Sequence, residues 1–256
     1  MSPAESFAVN MEYFLLDPEF ACRRPAVSSY FRQLFGVEDQ PQCEPRLMFY
    51  TIVEQPGKWM KVDWKKVYGV FLAVADPGGE SLLGRWGHAS LLIVQCAPHR
   101  EVVSEECWND QEHHVFLDYH SNPLGYEFQK DMSISDGLFG RHLAQLHPFT
   151  YANRVQYYLE REKRGLTFFE LRSEVKSHAE MVRDILYFMF ESFLAYRGTW
   201  NHLNKNCVTH LHESLQSSLP ELQAVTLMPL TTPLELAKRY QEAGVAVPTV
   251  RLEPDL

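Results

Sequence analysis

The 256-residue chain has no uninterrupted run of the ~18 to 20 apolar residues that a bilayer-spanning helix requires. Its longest apolar candidate, DILYFMFESFLAY from 184 to 196, is broken by Glu191 and is too short, so no integral membrane segment is expected. The first residues, MSPAESFAVNMEYFLLDPEF, lack the positive n-region and long apolar h-region of a Sec signal peptide. Basic residues are the minority, 24 Lys and Arg against 33 Asp and Glu, and the formal charge of -9 argues against nucleic acid as a partner. Also missing are a C-x-x-C pair, an H-E-x-x-H pattern and a G-x-x-x-x-G-K-[ST] phosphate loop. The five cysteines (Cys22, Cys43, Cys96, Cys107, Cys207) are odd in number and scattered, which suggests reduced thiols rather than a disulfide framework or structural zinc. These absences predict a cytoplasmic chain, or one exported by a route without a Sec signal. No cofactor and no metal are expected. The one polar cluster, EECWNDQEHH at 105–114, puts neighbouring side chains on opposite faces of an extended segment.

What is present is the balance of an ordinary globular protein, 45% hydrophobic and 22% charged. Residues 1–45 read as an N-terminal extension with a short helix and loops, and 46–256 as a single α+β domain. RLMFYTIVE, VYGVFLAVA, HASLLIVQC, VFLDYH and GLTFFELRS have the β-branched and aromatic content of strands, and DPGGES reads as a turn. The polar stretch 97–113 reads as an exposed loop, Gly137, Gly140 and Pro148 break the pattern, and a helix covers much of 151–164. A long helix begins after Ser177, whose spacing to Glu180 makes a capping box, and Gly198 stands where it should stop. Its apolar face is Val182, Ile185, Leu186, Met189, Phe190 and Phe193. A terminal helix starts at Thr232-Pro233 and closes the domain.

The chemistry concentrates in NKNCVTHLHESL, residues 204–215. With Asn206 as N-cap, Cys207 becomes the first helical residue, and Val208, Leu211 and Leu215 form the buried stripe. A thiol there faces the positive end of the helix dipole, which favours the thiolate. A nucleophilic thiol needs a base, and His88 in GRWGHASLLIV stands at a strand start, where its ring can reach the rim of a sheet. A base needs an orienter, and Asp118 and His120 in VFLDYH share one strand face, so either serves. The competing reading is a non-catalytic protein-binding module in which Cys207 only packs.

The order of these segments resembles the Lnb N-terminal periplasmic domain family. The shared elements are a Pro-Gly turn before a W/F-G-H-x-x-L segment, here Trp86-Gly87-His88, and a later N-C-x-T-x-L segment, here Asn206-Cys207 with Thr209 and Leu211. The resemblance implies a permuted papain-like (NlpC-type) fold, an antiparallel sheet packed on helices with the cysteine at a helix N-terminus. The family includes a lipoprotein N-acyltransferase in which such a cysteine carries an acyl group. By position, Cys207 would be nucleophile and His88 base, with Asp118 the best match for the polar residue of the next strand and His120 its competitor. The expected activity is that of a cysteine-dependent hydrolase or acyltransferase working through a thioester acyl-enzyme. Its partner would be a peptide, protein or lipid acyl substrate: a cell-wall peptide, the target of an exported toxin, or the acyl donor of a lipid or lipoprotein acyltransferase.

Overall fold

The computed structural model describes residues 3–18, 20–37, 48–50, 59–78, 86–120, 142–195, 199–201 and 203–254. It is an α+β protein built on a six-stranded, wholly antiparallel sheet. The strands are β3 (Val67–Ala75), β4 (His88–Gln95), β5 (Val115–His120), β7 (Gln145–Thr150), β8 (Leu166–Leu171) and β10 (Ala246–Leu252), arranged β10-β8-β3-β4-β5-β7. Short ribbons pair β1 (Met48–Tyr50) with β2 (Trp59–Lys61) and β6 (His142–Leu143) with β9 (Thr199–Trp200). Of the expected strand RLMFYTIVE, only β1 lies within the described residues, and the end of the DPGGES turn, Gly137, Gly140 and Gly198 lie outside them.

Central strands β3 and β4 are apolar almost throughout because both faces of the sheet are covered. One face carries Leu72, Val74, Leu91, Ile93 and Leu117 against α5 (His178–Ala195), α6 (Cys207–Gln216) and α7 (Pro233–Glu242). The other carries Phe71, Leu92, Phe116 and Phe168 under α4 (Tyr151–Gln156), which winds on as a π-helical turn over Tyr157–Arg161. The capping box forms as its spacing requires. The Ser177 N–H donates to the Glu180 carboxylate at 2.9 Å, and the Glu180 N–H donates back to Ser177 Oγ at 3.3 Å. Val182, Ile185, Leu186 and Met189 are buried, while the side chains of Phe190 and Phe193 lie outside the described set. Thr232 caps α7 by accepting from the Glu235 N–H at 3.2 Å, with Pro233 at the first helical position.

Four expectations change. Pro148 does not break the pattern, because it lies within β7 and pairs with Leu117 at the sheet edge. The terminal helix does not close the domain, because β10 follows it and pairs with β8 at the sheet edge. Pro248 obscures that strand in the sequence and is tolerated because an edge position does not require its missing N–H; the register shifts between Pro248 and Val250. The N-terminal segment is more helical than expected, with α1 (Pro3–Leu16), α2 (Phe20–Arg23) and α3 (Pro25–Phe35) gathered around buried Phe20 and Phe31. Edge-to-face packing of Phe7 on Phe31, with centroids 5.3 Å apart, joins α1 to α3. Finally, the polar stretch 97–113 is not a free loop, nor are all the cysteines reduced: Cys96 and Cys107 form a disulfide that ties the stretch to the end of β4. With Cys107 in that bond, its thiol is no ligand for the polar cluster around it.

Candidate functional site

His88 is the first residue of β4, and the backbone ahead of it is built to put it there. Gly87 has φ +85°, and a Cβ at that position would come within 2.9 Å of the Ala75 carbonyl oxygen. A side chain is excluded both by the left-handed conformation and by the neighbouring strand. Across the β4–β5 register, which pairs Leu91 with Leu117, His88 falls opposite His120, and the two rings stack with centroids 5.3 Å apart. Asp118, two residues back along β5, lies diagonally across the same face. Its side chain is fully buried, with Oδ2 3.6 Å from His88 Nε2 and 3.3 Å from His120 Nε2.

Cys207 arrives from the other side of the sheet. It belongs to the core packed under α6, with Val208, Leu211 and Leu215 buried along the stripe the sequence anticipates. Asn206 caps the helix as expected, accepting from the N–H groups of Val208 at 3.0 Å and Thr209 at 3.2 Å. That cap leaves the Cys207 N–H unclaimed by Asn206. Because His88 stands at the rim, its ring is reached by Asp118 on one face and by the Cys207 thiol, which hydrogen-bonds it, from the other. All four residues singled out in the sequence, Cys207, His88, Asp118 and His120, therefore meet at one end of β4 and β5.

The electrostatics follow from that meeting. Burial pulls the His88 pKa down, but the facing Cys207 thiolate and the Asp118 carboxylate outweigh it, and His88 is raised to about 9. Burial pushes Cys207 up, yet the His88 charge and hydrogen bond, with the Ala89 N–H, bring the thiol below its ordinary value. Asp118 is opposed by burial but held well below the carboxylate range, first by the Arg154 charge and also by His88. His120 is pushed down to about 4, first by burial, with Arg154 opposing the help it receives from Asp118.

Arg154 is the member of the cluster that the sequence did not point to. It projects from α4, is 3% exposed and pairs directly with Asp118 Oδ2. The same Nη2 lies 3.0 Å from His120 Nε2. Its guanidinium carbon stands 4.3 Å from the Phe149 ring centroid, 5.1 Å from that of Tyr157 and 4.9 Å from that of Tyr158. In sequence it is one arginine in the amphipathic segment YANRVQYYLER, and nothing local separates it from a solvated residue. A cation would find ligand-type atoms of His88, Asp118 and His120 within 4.8 Å of one another. The guanidinium already occupies the shared carboxylate oxygen, and its positive charge opposes a metal ion there.

The fold and the cluster define a class: an α+β protein with a thiol, an imidazole and a buried carboxylate converging at a sheet rim. Residues 58–239 match the family described as the Lnb N-terminal periplasmic domain, and the chain belongs to that family. Residues 1–44 match a separate family described as a domain of unknown function, DUF7844. No curated protein and no solved structure matches the chain. The periplasmic family overturns the expectation of a cytoplasmic chain. The Cys96–Cys107 bond agrees with this correction, because disulfides persist in oxidising compartments. Among the described residues no helix is long and apolar enough to cross a membrane.

Proposed function

We propose that this protein is a cysteine-dependent acyl-transfer enzyme, a hydrolase or acyltransferase, acting on an amide, ester or thioester. The observation that carries the reading is the Cys207–His88 pair, in which each group moves the other toward its charged form. The Cys207 thiolate attacks the carbonyl carbon, forming a C–S bond. The N–H of Cys207, at the helix N-terminus, serves the developing oxyanion. The C–N, C–O or C–S bond then breaks, and the His88 imidazolium gives its proton to the leaving group. Water or an amine resolves the thioester, which separates a hydrolase from a transferase. Asp118 faces His88 Nε2 and orients the ring. A histidine strand preceding a cysteine helix, on an antiparallel sheet, supports a permuted papain-like, NlpC-type architecture.

The test is alkylation of the folded protein with iodoacetamide across pH, mapped by mass spectrometry. Cys207 should keep at pH 6 a labelling rate that an ordinary thiol loses, since the His88 charge, present below about 9, holds the thiol below its ordinary value. In His88→Ala that support is gone while burial still pushes the thiol up, so labelling at pH 6 should fall at least about tenfold and recover only above the ordinary thiol range near pH 8.5. A Cys207 that labels only on unfolding would defeat the proposal. Incubation with phospholipid vesicles or with cell-wall stem peptides then assigns the substrate by the mass added to Cys207.

A further inference from the structure

The site contains two candidates for orienting His88, and the contacts of Arg154 discriminate between them. An arginine only donates hydrogen bonds. With Nη2 3.0 Å from His120 Nε2, it is satisfied when that nitrogen is an unprotonated acceptor. The 3.3 Å approach of His120 Nε2 to Asp118 Oδ2 is then a contact between two acceptors bridged by one guanidinium. His120 has no proton on that nitrogen to offer the carboxylate, and it stacks on His88 rather than pointing at it. Asp118 retains its negative charge for His88.

We infer that Arg154 is a positioning residue of the proposed thiol site: by binding Asp118 and His120 together, it keeps His120 neutral and reserves the carboxylate for His88. This rests on the reading of Cys207 as a nucleophile only for its consequence, not for its geometry. The charge count supports it. Asp118 and Arg154 form one buried pair, Cys207 and His88 form a second, and the two lie in series with no net charge. Take Arg154 away and Asp118 faces two histidines on the same oxygen, either of which can take the proton. His120 would then compete with His88, and the thiolate would lose its partner. Among the described residues, the titratable or charged groups facing Asp118 are His88 on β4, His120 on β5, His147 on β7, Arg154 on α4, Tyr158 on the π-turn and Cys207 on α6, and the balance includes them all. The guanidinium is fixed for the task by Phe149, Tyr157 and Tyr158, whose ring faces favour a cation and whose bulk keeps water out. The π-turn directly after α4 supplies two of those rings.

The experiment is a histidine-selective ¹⁵N NMR titration of the full chain, combined with the alkylation profile, for the wild type, Arg154→Met and Arg154→Lys. In the wild type, His120 should show an imine-like Nε2 at pH 7 and no titration above about pH 5. In R154M its titration should move upward, because the Arg154 charge no longer opposes its protonation, and Cys207 labelling at pH 6 should fall roughly tenfold, one pKa unit of lost support. R154K keeps a point charge without the fork and should lie between the two. A wild-type His120 that titrates near 6.5, or carries its proton on Nε2, would overturn the inference. So would a natively folded R154M with an unchanged His120 and unchanged labelling. If R154M does not fold, the wild-type titration and R154K still decide. A wild-type Cys207 inert at pH 6 beside a neutral His120 would remove the thiol reading and leave the Arg154 clamp standing.

Discussion

The two ends of β4 handle buried polar groups in opposite ways. At its C-terminal end the Gln95 and Asp110 side chains have dedicated partners. The Gln95 side chain donates to the Lys61 carbonyl at 2.9 Å and also to that of His113, and accepts from the Asp63 N–H at 3.0 Å. Cys96 is bonded to Cys107, and Asp110 accepts from the Ala97 N–H at 2.9 Å while gripping Arg100 through two nitrogens. At the N-terminal end one fully buried carboxylate oxygen binds Arg154 and faces both His88 and His120, and a thiol leans on His88. The first arrangement pins a loop. The second concentrates opposing charges out of water, where interactions are strong and imbalance is costly.

That difference sets the order of expected effects. Asp118→Ala should be the most damaging single change to stability, because it strands the buried Arg154 charge. A loss of about 3 to 5 kcal/mol is expected in urea denaturation at pH 7. A loss below about 1 kcal/mol would erase the contrast between the two ends. Next comes removal of the disulfide. The bridge spans 11 residues, and replacing both Cys96 and Cys107 by Ala should cost about 3 kcal/mol through the loop entropy returned to the unfolded chain. The sharper part of this prediction is that Cys207 alkylation at pH 6 should not change, since the loop is anchored at the far end of the strand. Slower labelling in the double variant would show that the two ends are coupled.

The smallest effect belongs to Asp110, near the surface. Its Arg100 hydrogen bond and the Ala97 N–H hold it down to about 2 from an ordinary 3.8. A depressed carboxylate contributes stability above its unfolded value and loses it as pH falls through the folded one. Asp110→Asn should therefore flatten the acid limb of the stability curve between about pH 4 and pH 2 while leaving the curve above pH 6 nearly parallel to the wild type. Thermal melts at fixed ionic strength over that range would check it.

Much of the fold was legible because its signals are local. Ser177 and Glu180, Thr232 and Pro233, and Asn206 mark three helix starts by the chemistry of unpaired N–H groups at a first turn. Strands β3, β4, β5 and β8 announce themselves by apolar, β-branched and aromatic content. Strand β10 stayed hidden, since Pro248 reads against a strand until the position is known to be an edge. The disulfide is hidden for a related reason: spacing does not reveal that a loop folds back to bring Cys107 beside Cys96, and an odd count of cysteines points toward reduced thiols.

The sequence by itself determined the capped helix that opens with Cys207, the glycine that frees His88 at its strand start, and the alternation that puts Asp118 and His120 on one face. Each depends on neighbours within a few positions, where covalent geometry dictates direction. Only the tertiary structure decided that Arg154 lies among them, that Asp118 rather than His120 faces His88 as an ion, and that Cys207 reaches the imidazole around the sheet rim. Those outcomes depend on burial and on charges brought together from β4, β5, α4 and α6. Electrostatic energy in a dry site is set by distances through space, and the order of residues along the chain does not carry them.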